Sequence, residues 1–491
     1  MERTLPNPQE LWSIIPADVQ EMLQAFFVRF EQLQQENLQL RQQIEQLQKD
    51  NQRLSAHNQK LLEQLQQNSS NSSRPPSTDP PKFKRKPPTP RSGKKPGGQQ
   101  GHALQQRAPL EPTQPPIILQ PTACRKCGRT LTGDDRQPLR HQVIDLPPIV
   151  PEVVEYHLQR RRCPCCGITT CATLPAGVPT GQYGPRLQAM LAILAGAYRL
   201  GKRPIEDLCA DVFNVPISAG QVCALEADTA DATDPVVQPV RDFVQDQDVM
   251  IDETSWRHNR RRGWLWAVVA ATVTVFHIAL SRSAKVAQEL LGPDYAHIAG
   301  TDRYSAYTWL DPRQRQVCWS HLQRDFQAMV DRGGDGQAIG EELLCCAEEL
   351  FARWQRVRDG TLQRSTVRQY LSELRGHVRS QLELGAACGC AKTAGMCREI
   401  LKLEPALWTF VRKEGVEPTN NGVERAIRHP VQWRKTSYGT MGETGRRFVA
   451  NMLTIVATCR QQDRNALEFL TECCQAKLCG STPPSLLPRA L

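Results

Sequence analysis

The chain has 491 residues, 40% of them apolar, with 61 Lys and Arg against 51 Asp and Glu for a formal charge of +10. That length predicts about three domains. The longest apolar run, Trp264–Leu280, is too short and too β-branched for a membrane span, and MERTLPNPQE has no signal-peptide pattern. A membrane protein and a secreted enzyme are thus not expected, and 18 cysteines, mostly in close pairs, suit a reducing cytoplasm.

After a short lead (1–20), residues 21–67 keep a seven-residue beat. Phe26, Leu33, Leu40, Leu47, Leu54 and Leu61 fill one seam position; Leu23, Phe30, Asn37, Ile44, Asn51, Asn58 and Leu65 fill the other. This predicts a coiled coil, with the seam asparagines disfavouring slipped registers and larger bundles. A homodimer or higher oligomer is the expectation; a helix packed on its own chain, or on another partner, is the alternative. Residues 68–115 follow as a linker. Between Ser69 and His102, Arg74, Lys82, Lys84, Arg85, Lys86, Arg91, Lys94 and Lys95 face one acid, Asp79. Its prolines and glycines prevent a packed core. Such a tether can sit on phosphates without reading sequence, or serve only to solubilise.

The next module, 116–180, carries two knuckles, Cys124-Arg-Lys-Cys127-Gly128 and Cys163-Pro-Cys-Cys166-Gly167. Paired C-x2-C-G turns predict one structural Zn²⁺ on Cys124, Cys127, Cys163 and Cys166, with iron–sulfur or free thiols as the alternatives. Cys165 and Cys171 are spare thiols, and the stretch between the knuckles reads as short strands. Arg160, Arg161 and Arg162 suit either backbone contact with nucleic acid or a solvated basic face. Residues 181–245 turn helical, broken at Asn214–Pro216 and restarted by Ser218. That is compatible with a helix-turn-helix reader or a plain helical bundle.

From 246 the pattern becomes α/β. Val249–Ile251 leads into Asp252, GWLWAVVAA and TVTVFHIAL read as an antiparallel pair, SAKVAQELLG as a helix, and HIAGTDRYSAY as a strand ending at Asp302. Glu253 should face away from Asp252, as strand neighbours do. Farther on, EPTNNGVERAIRHP starts a helix that Thr419 or Asn420 can cap, with Asn421, Glu424 and Arg428 on one side. Two strand-borne Asp and a helix-borne Glu make an oxygen set able to hold two Mg²⁺. The interval between Asp302 and Glu424 exceeds a simple crossover. It predicts a helical subdomain at 331–415, inserted between core segments 246–330 and 416–460 and followed by a tail (461–491). Cys388, Cys390 and Cys397 inside it fit no metal spacing.

The local words are specific. The coil, NSSNSSRPPS, GKKPGGQQGH, the knuckles, YGPRLQAML, PISAGQV, DET, GWLWAV, TDRYSAY, CWSHLQRDF and TNNGVERAIR followed by WRK occur in order. In these the chain resembles the insertion-sequence 66 transposase family of bacterial mobile elements. The resemblance implies a ribonuclease-H-like core with Asp252, Asp302 and Glu424 as catalytic acids holding Mg²⁺. The implied activity is cleavage and strand transfer of double-stranded DNA at the element's terminal repeats and its target. Cys318 and His321 match the C-x2-H unit seen after the second Asp in many such transposases. Arg303 stands where the family has Gly, Gln432-Trp433-Arg434-Lys435 replaces its Gly-Arg-Lys stretch, and Gly439-Thr440 its following turn. Candidates for DNA contact are Arg303, Cys318, His321, Arg324, Asn421, Arg425, Arg428, Arg434 and Lys435, with Lys84, Arg85 and Lys86 in the linker. The implied setting is a prokaryotic cytoplasm, on the nucleoid, with accessory proteins of the same element as further partners. The alternative is an inactive DNA-binding accessory protein or repressor of that element.

Overall fold

The computed structural model describes residues 15–72, 79, 108–135 and 137–488. Lys84, Arg85 and Lys86, with most of the basic linker, lie outside the described residues.

Helix α1 (Ala17–Gln66) is one 50-residue helix, roughly 75 Å long at the α-helical rise. Its seam is bare: Leu40, Leu47 and Leu54 are 55%, 67% and 60% exposed. Among the described residues nothing of the chain covers these heptads.

Both knuckles close in the same way. The amides of Gly128 and Gly167 each donate to the carbonyl of the first cysteine at 2.9 Å, and Cys124 and Cys163 donate to the residue after each glycine at 2.8 Å. Both glycines sit at φ +73°, open to them at little cost. Between the knuckles the expected strands reduce to β1 (Arg160–Arg162), paired antiparallel with β2 (Thr169–Cys171). The described remainder of that stretch holds no other strand, only a bridge from Thr130 to Ala123, with Val143, Leu146 and Val150 more than 80% exposed.

Helices α2 (Pro185–Gly196) and α3 (Lys202–Asp211) precede α4 (Ala219–Phe243). The break falls where expected, with Asn214 at positive φ and a reciprocal capping box between Ser218 and Gln221. These helices do not form a separate bundle: Leu191, Ile205, Val222 and Val237 belong to the same buried cluster as the sheet.

That sheet has five strands in the order β5-β4-β3-β6-β7. Strands β3 (Val249–His258), β4 (Arg261–Val269) and β5 (Thr274–Ala279) form an antiparallel meander. After α5 (Ala284–Leu291), the short strands β6 (Ala299–Thr301) and β7 (Arg315–Val317) run parallel to β3. β7 had no signal of its own, because three residues are too few for a periodicity.

Helices α6 (Trp319–Arg332), α7 (Asp335–Arg358), α8 (Arg364–Ala386) and α9 (Ala391–Lys402) build a second buried cluster. The short helices α10 (Glu404–Leu407) and α11 (Thr409–Arg412) complete it. Trp319 and Trp408 pack edge to face at 5.2 Å, and Trp354 and Phe410 at 5.0 Å. Helix α6, from Trp319 on, already packs in this second cluster together with Val317 of β7. Within it Cys397 is fully buried.

The chain returns to the sheet through α12 (Asn421–Ser437) and α13 (Gly442–Gln461). Thr454 and Thr458 on α13 accept the edge amides of Phe276 and Thr274, so the helix closes the open side of β5. The expected tail is also core. Helix α14 (Ala466–Cys479), capped by Asn465, buries Phe469, Leu470, Cys473 and Cys474. Among the described residues no helix is long and apolar enough to cross a membrane.

Candidate active site

Asp252 lies in the middle strand of the sheet, and Asp302 follows the end of the parallel neighbour. The register pairs Met250 with Gly300, which brings the two aspartates to the same level at the carboxyl ends of β3 and β6. One oxygen of each carboxylate is held by local backbone: Glu253 N–H donates to Asp252 Oδ1 and Tyr304 N–H to Asp302 Oδ1, both at 2.8 Å. Glu424 arrives on the first turn of α12. Gly422 lets that turn close on β3, since a Cβ there would stand 2.7 Å from Met250 Sδ.

Asn420, 1% exposed, joins these pieces. It occupies the N-cap position of α12 but makes no side-chain cap bond. Its side-chain amide instead donates to the carbonyl of Ile251 at 3.1 Å, one residue before Asp252. Its backbone N–H donates to Cys318 Sγ at 3.1 Å, and Cys318 N–H donates to the carbonyl of Thr301 at 2.9 Å, one residue before Asp302. The three segments that carry the acids are thus tied through two side chains.

Burial pushes the Asp252 carboxyl well above the usual carboxylate range, and the charges of Glu253, Asp302 and Glu424 push the same way. The Cys318 thiol is pushed up to about 11 by burial. His321 is held below the ordinary imidazole value, first by burial and then by the Arg324 charge. Cys318, His321 and Glu424 place one ligand atom each within 4.8 Å of one another.

Glu253 faces away from Asp252, as alternation requires, but not toward solvent. Its carboxylate is buried, accepting from Arg282 Nε at 2.6 Å and from the Tyr307 hydroxyl at 2.5 Å. Arg315, fully buried in β7, donates from Nε to Thr301 Oγ1 at 2.6 Å and from a terminal nitrogen to the Asp302 carbonyl at 2.5 Å. Asn420, Glu253, Tyr307 and Arg315 carried no sequence signal for these roles, since each contact joins elements far apart in the chain.

The remaining candidates divide. Asn421, Arg425, Arg428 and Lys435 are exposed along α12, and Arg324 is partly exposed on α6. Arg303 is engaged, its Nε donating to Asp325 at 2.7 Å. Arg434 turns back on β3, donating to Thr254 Oγ1 at 2.9 Å and Ser255 Oγ at 2.8 Å. Cys124 with Cys127 and Cys163 with Cys166 stand as two separate pairs: no three of these thiols come within 4.8 Å of one another.

Comparisons with known proteins fit this arrangement. A family described as "Transposase IS66 family" matches residues 180–447, from the helices before the sheet through the helix bearing Glu424. The "zinc-finger binding domain of transposase IS66" matches residues 121–167, both knuckles included. A family of unknown function (DUF6444) matches residues 28–108. The chain is 29% identical over 235 residues to "Uncharacterized protein y4qI" of Sinorhizobium fredii, an alignment covering 43% of each chain. With more than half of its length matched by one family and its zinc-finger region by that family's own module, the chain belongs to the IS66 transposase family.

Proposed function

We propose that the chain is a DNA transposase whose Asp252, Asp302 and Glu424 hold two Mg²⁺ on a ribonuclease-H-like core and carry out both cleavage and strand transfer. One observation bears most of the weight. Three acids from a strand, a strand end and a helix converge, and Asp252 gains no cationic partner there to offset burial and repulsion. Such a donor set fits hard divalent cations, which take oxygen ligands and neutralise just this repulsion. The sheet supports the fold: an antiparallel meander whose first strand is central, then two parallel strands beyond it.

The chain's own residues supply position and charge. The backbone amides of Glu253 and Tyr304 orient the two aspartates, and the Cys318–Asn420 link sets α12 against them. Exposed Arg425, Arg428 and Lys435 can run along a phosphate backbone on one side of the acids. Bound Mg²⁺ supplies activation of the attacking oxygen and stabilisation of the leaving oxygen in an in-line displacement. Away from the sheet, Cys124, Cys127, Cys163 and Cys166 would hold one structural Zn²⁺ once the two knuckles come together. The bare heptad seam pairs two or more copies, and the basic linker adds affinity for duplex DNA. Element ends, target DNA and accessory proteins of the element are the partners this reading implies.

The test is incubation of the purified chain with labelled element-end DNA and Mg²⁺. Nicked ends and joined products are expected. Binding without either product would favour a DNA-binding accessory protein or repressor.

A further inference from the structure

We propose that Cys318, His321 and Glu424 form a second metal site, selective for a thiophilic divalent cation of the zinc class. It is separate from the oxygen cluster of Asp252 and Asp302 but shares Glu424 with it. The three ligand atoms lie within 4.8 Å of one another, and His321 Nδ1 is 3.8 Å from Glu424 Oε1. Both of those atoms are buried and have no hydrogen-bond partner among the described residues. Buried polar atoms left so are uncommon and costly, and a cation between them satisfies both at once.

The backbone prepares the third ligand. Cys318 is the N-cap of α6 and His321 lies one turn on, so both side chains come to one side of the helix start. The Asn420 N–H already points at Cys318 Sγ, where it stabilises the charge of a thiolate. Charged neighbours of His321 are Arg324 against Asp302, Glu424 and Asp325, a net negative surrounding that suits a cation.

The donor chemistry selects the metal. Sulfur and imidazole favour zinc-class ions, whereas Mg²⁺ prefers oxygen alone. Tetrahedral zinc with bonds of about 2.0–2.3 Å sets its ligand atoms roughly 3.3–3.6 Å apart, so the three must close by about an ångström. On binding, the Cys318 proton leaves to solvent, and the fourth position stays open. If Glu424 serves as proposed above, a cation seated here withdraws one of its oxygens from the Mg²⁺ cluster, and zinc should suppress strand transfer.

Cadmium NMR of the full-length chain tests the site without any activity assay. The expected spectrum has one resonance from the four-thiolate finger and a second, upfield, from a single-thiolate site. Cys318→Ser and His321→Ala should each abolish the second resonance and leave the first, with the helical circular dichroism and melting transition of the parent retained to report that the core is folded. If Cys318→Ser does not fold, His321→Ala gives the same reading. One resonance only in the parent, or a second that survives both substitutions, overturns the site. Strand transfer in Mg²⁺ alone is scored separately. Transfer without the second resonance removes this inference and keeps the proposed function, and the second resonance without transfer does the reverse.

Discussion

The backbone N–H of Asn420 donates to the sulfur of Cys318 at 3.1 Å, across 102 residues of chain. Together with Trp319 N–H donating to the Pro418 carbonyl at 2.9 Å, that contact fastens the start of the Glu424 helix to the end of β7, and through Cys318 N–H to the Thr301 carbonyl beside Asp302. The whole inserted helical subdomain lies between the two residues, and it is tied to β7 again where Thr409 donates to the Arg315 carbonyl at 2.7 Å and Phe410 N–H to Gln316 Oε1 at 2.8 Å.

For the acids themselves, Asp252→Asn, Asp302→Asn and Glu424→Gln keep volume and remove one charge each. Cleavage and joining should fall together by roughly a thousandfold or more, about 4 kcal/mol of barrier, while DNA binding persists. Strand-transfer assays beside gel shifts check this. Near-normal joining by one variant would take that residue out of the site.

Glu253 faces away from Asp252 but is not a silent neighbour. Its carboxylate serves Arg282 and Tyr307 together, and a single amide oxygen replaces it poorly. Glu253→Gln should cost about 1–3 kcal/mol of stability, read as a lower Tm. An unchanged Tm would mean that Arg282 and Tyr307 find other acceptors.

His277 offers a pH test remote from the acids. Burial and the charges of Arg241 and Arg446 lower its pKa to about 4. Folded chains then bind fewer protons than unfolded ones between about 4 and 6.5, so stability should fall as pH drops through that window, by about 3 kcal/mol in full. Thermal melts at pH 7 and pH 4.5 should differ less for His277→Asn than for the parent.

The zinc finger should contribute one tightly held zinc that Cys163→Ser removes, whatever metal Cys318 and His321 hold, with chelation melting residues 116–180 and leaving the sheet intact. Elemental analysis and circular dichroism measure both. An unchanged signal after exhaustive chelation would exclude metal as what holds the knuckles.

The exposed seam of α1 predicts self-association. Residues 20–68 should sediment as a dimer, and Leu40→Asp with Leu47→Asp should give a monomer. A parent fragment that is monomeric at tens of micromolar would assign the seam to a different partner.

Local pattern determined much of this protein: the α1 heptads, the paired cysteine turns, the Ser218 restart, the β4–β5 meander and the positions of Asp252, Asp302 and Glu424. Those signals are short-range, repeating within a few residues or fixed by turn chemistry, and sequence carries them directly. Tertiary structure alone decided the rest. Three-residue β7 forms only because β6 is there to pair with it, and the 461–491 segment becomes a core helix because α2 and α4 offer it an apolar face. Glu253 changed from bystander to buried hub because strand alternation says which way a side chain points, not what waits there. Asn420 and Cys318 likewise meet only after two buried clusters have formed, and that meeting holds the start of the Glu424 helix against the strand ends that carry the aspartates.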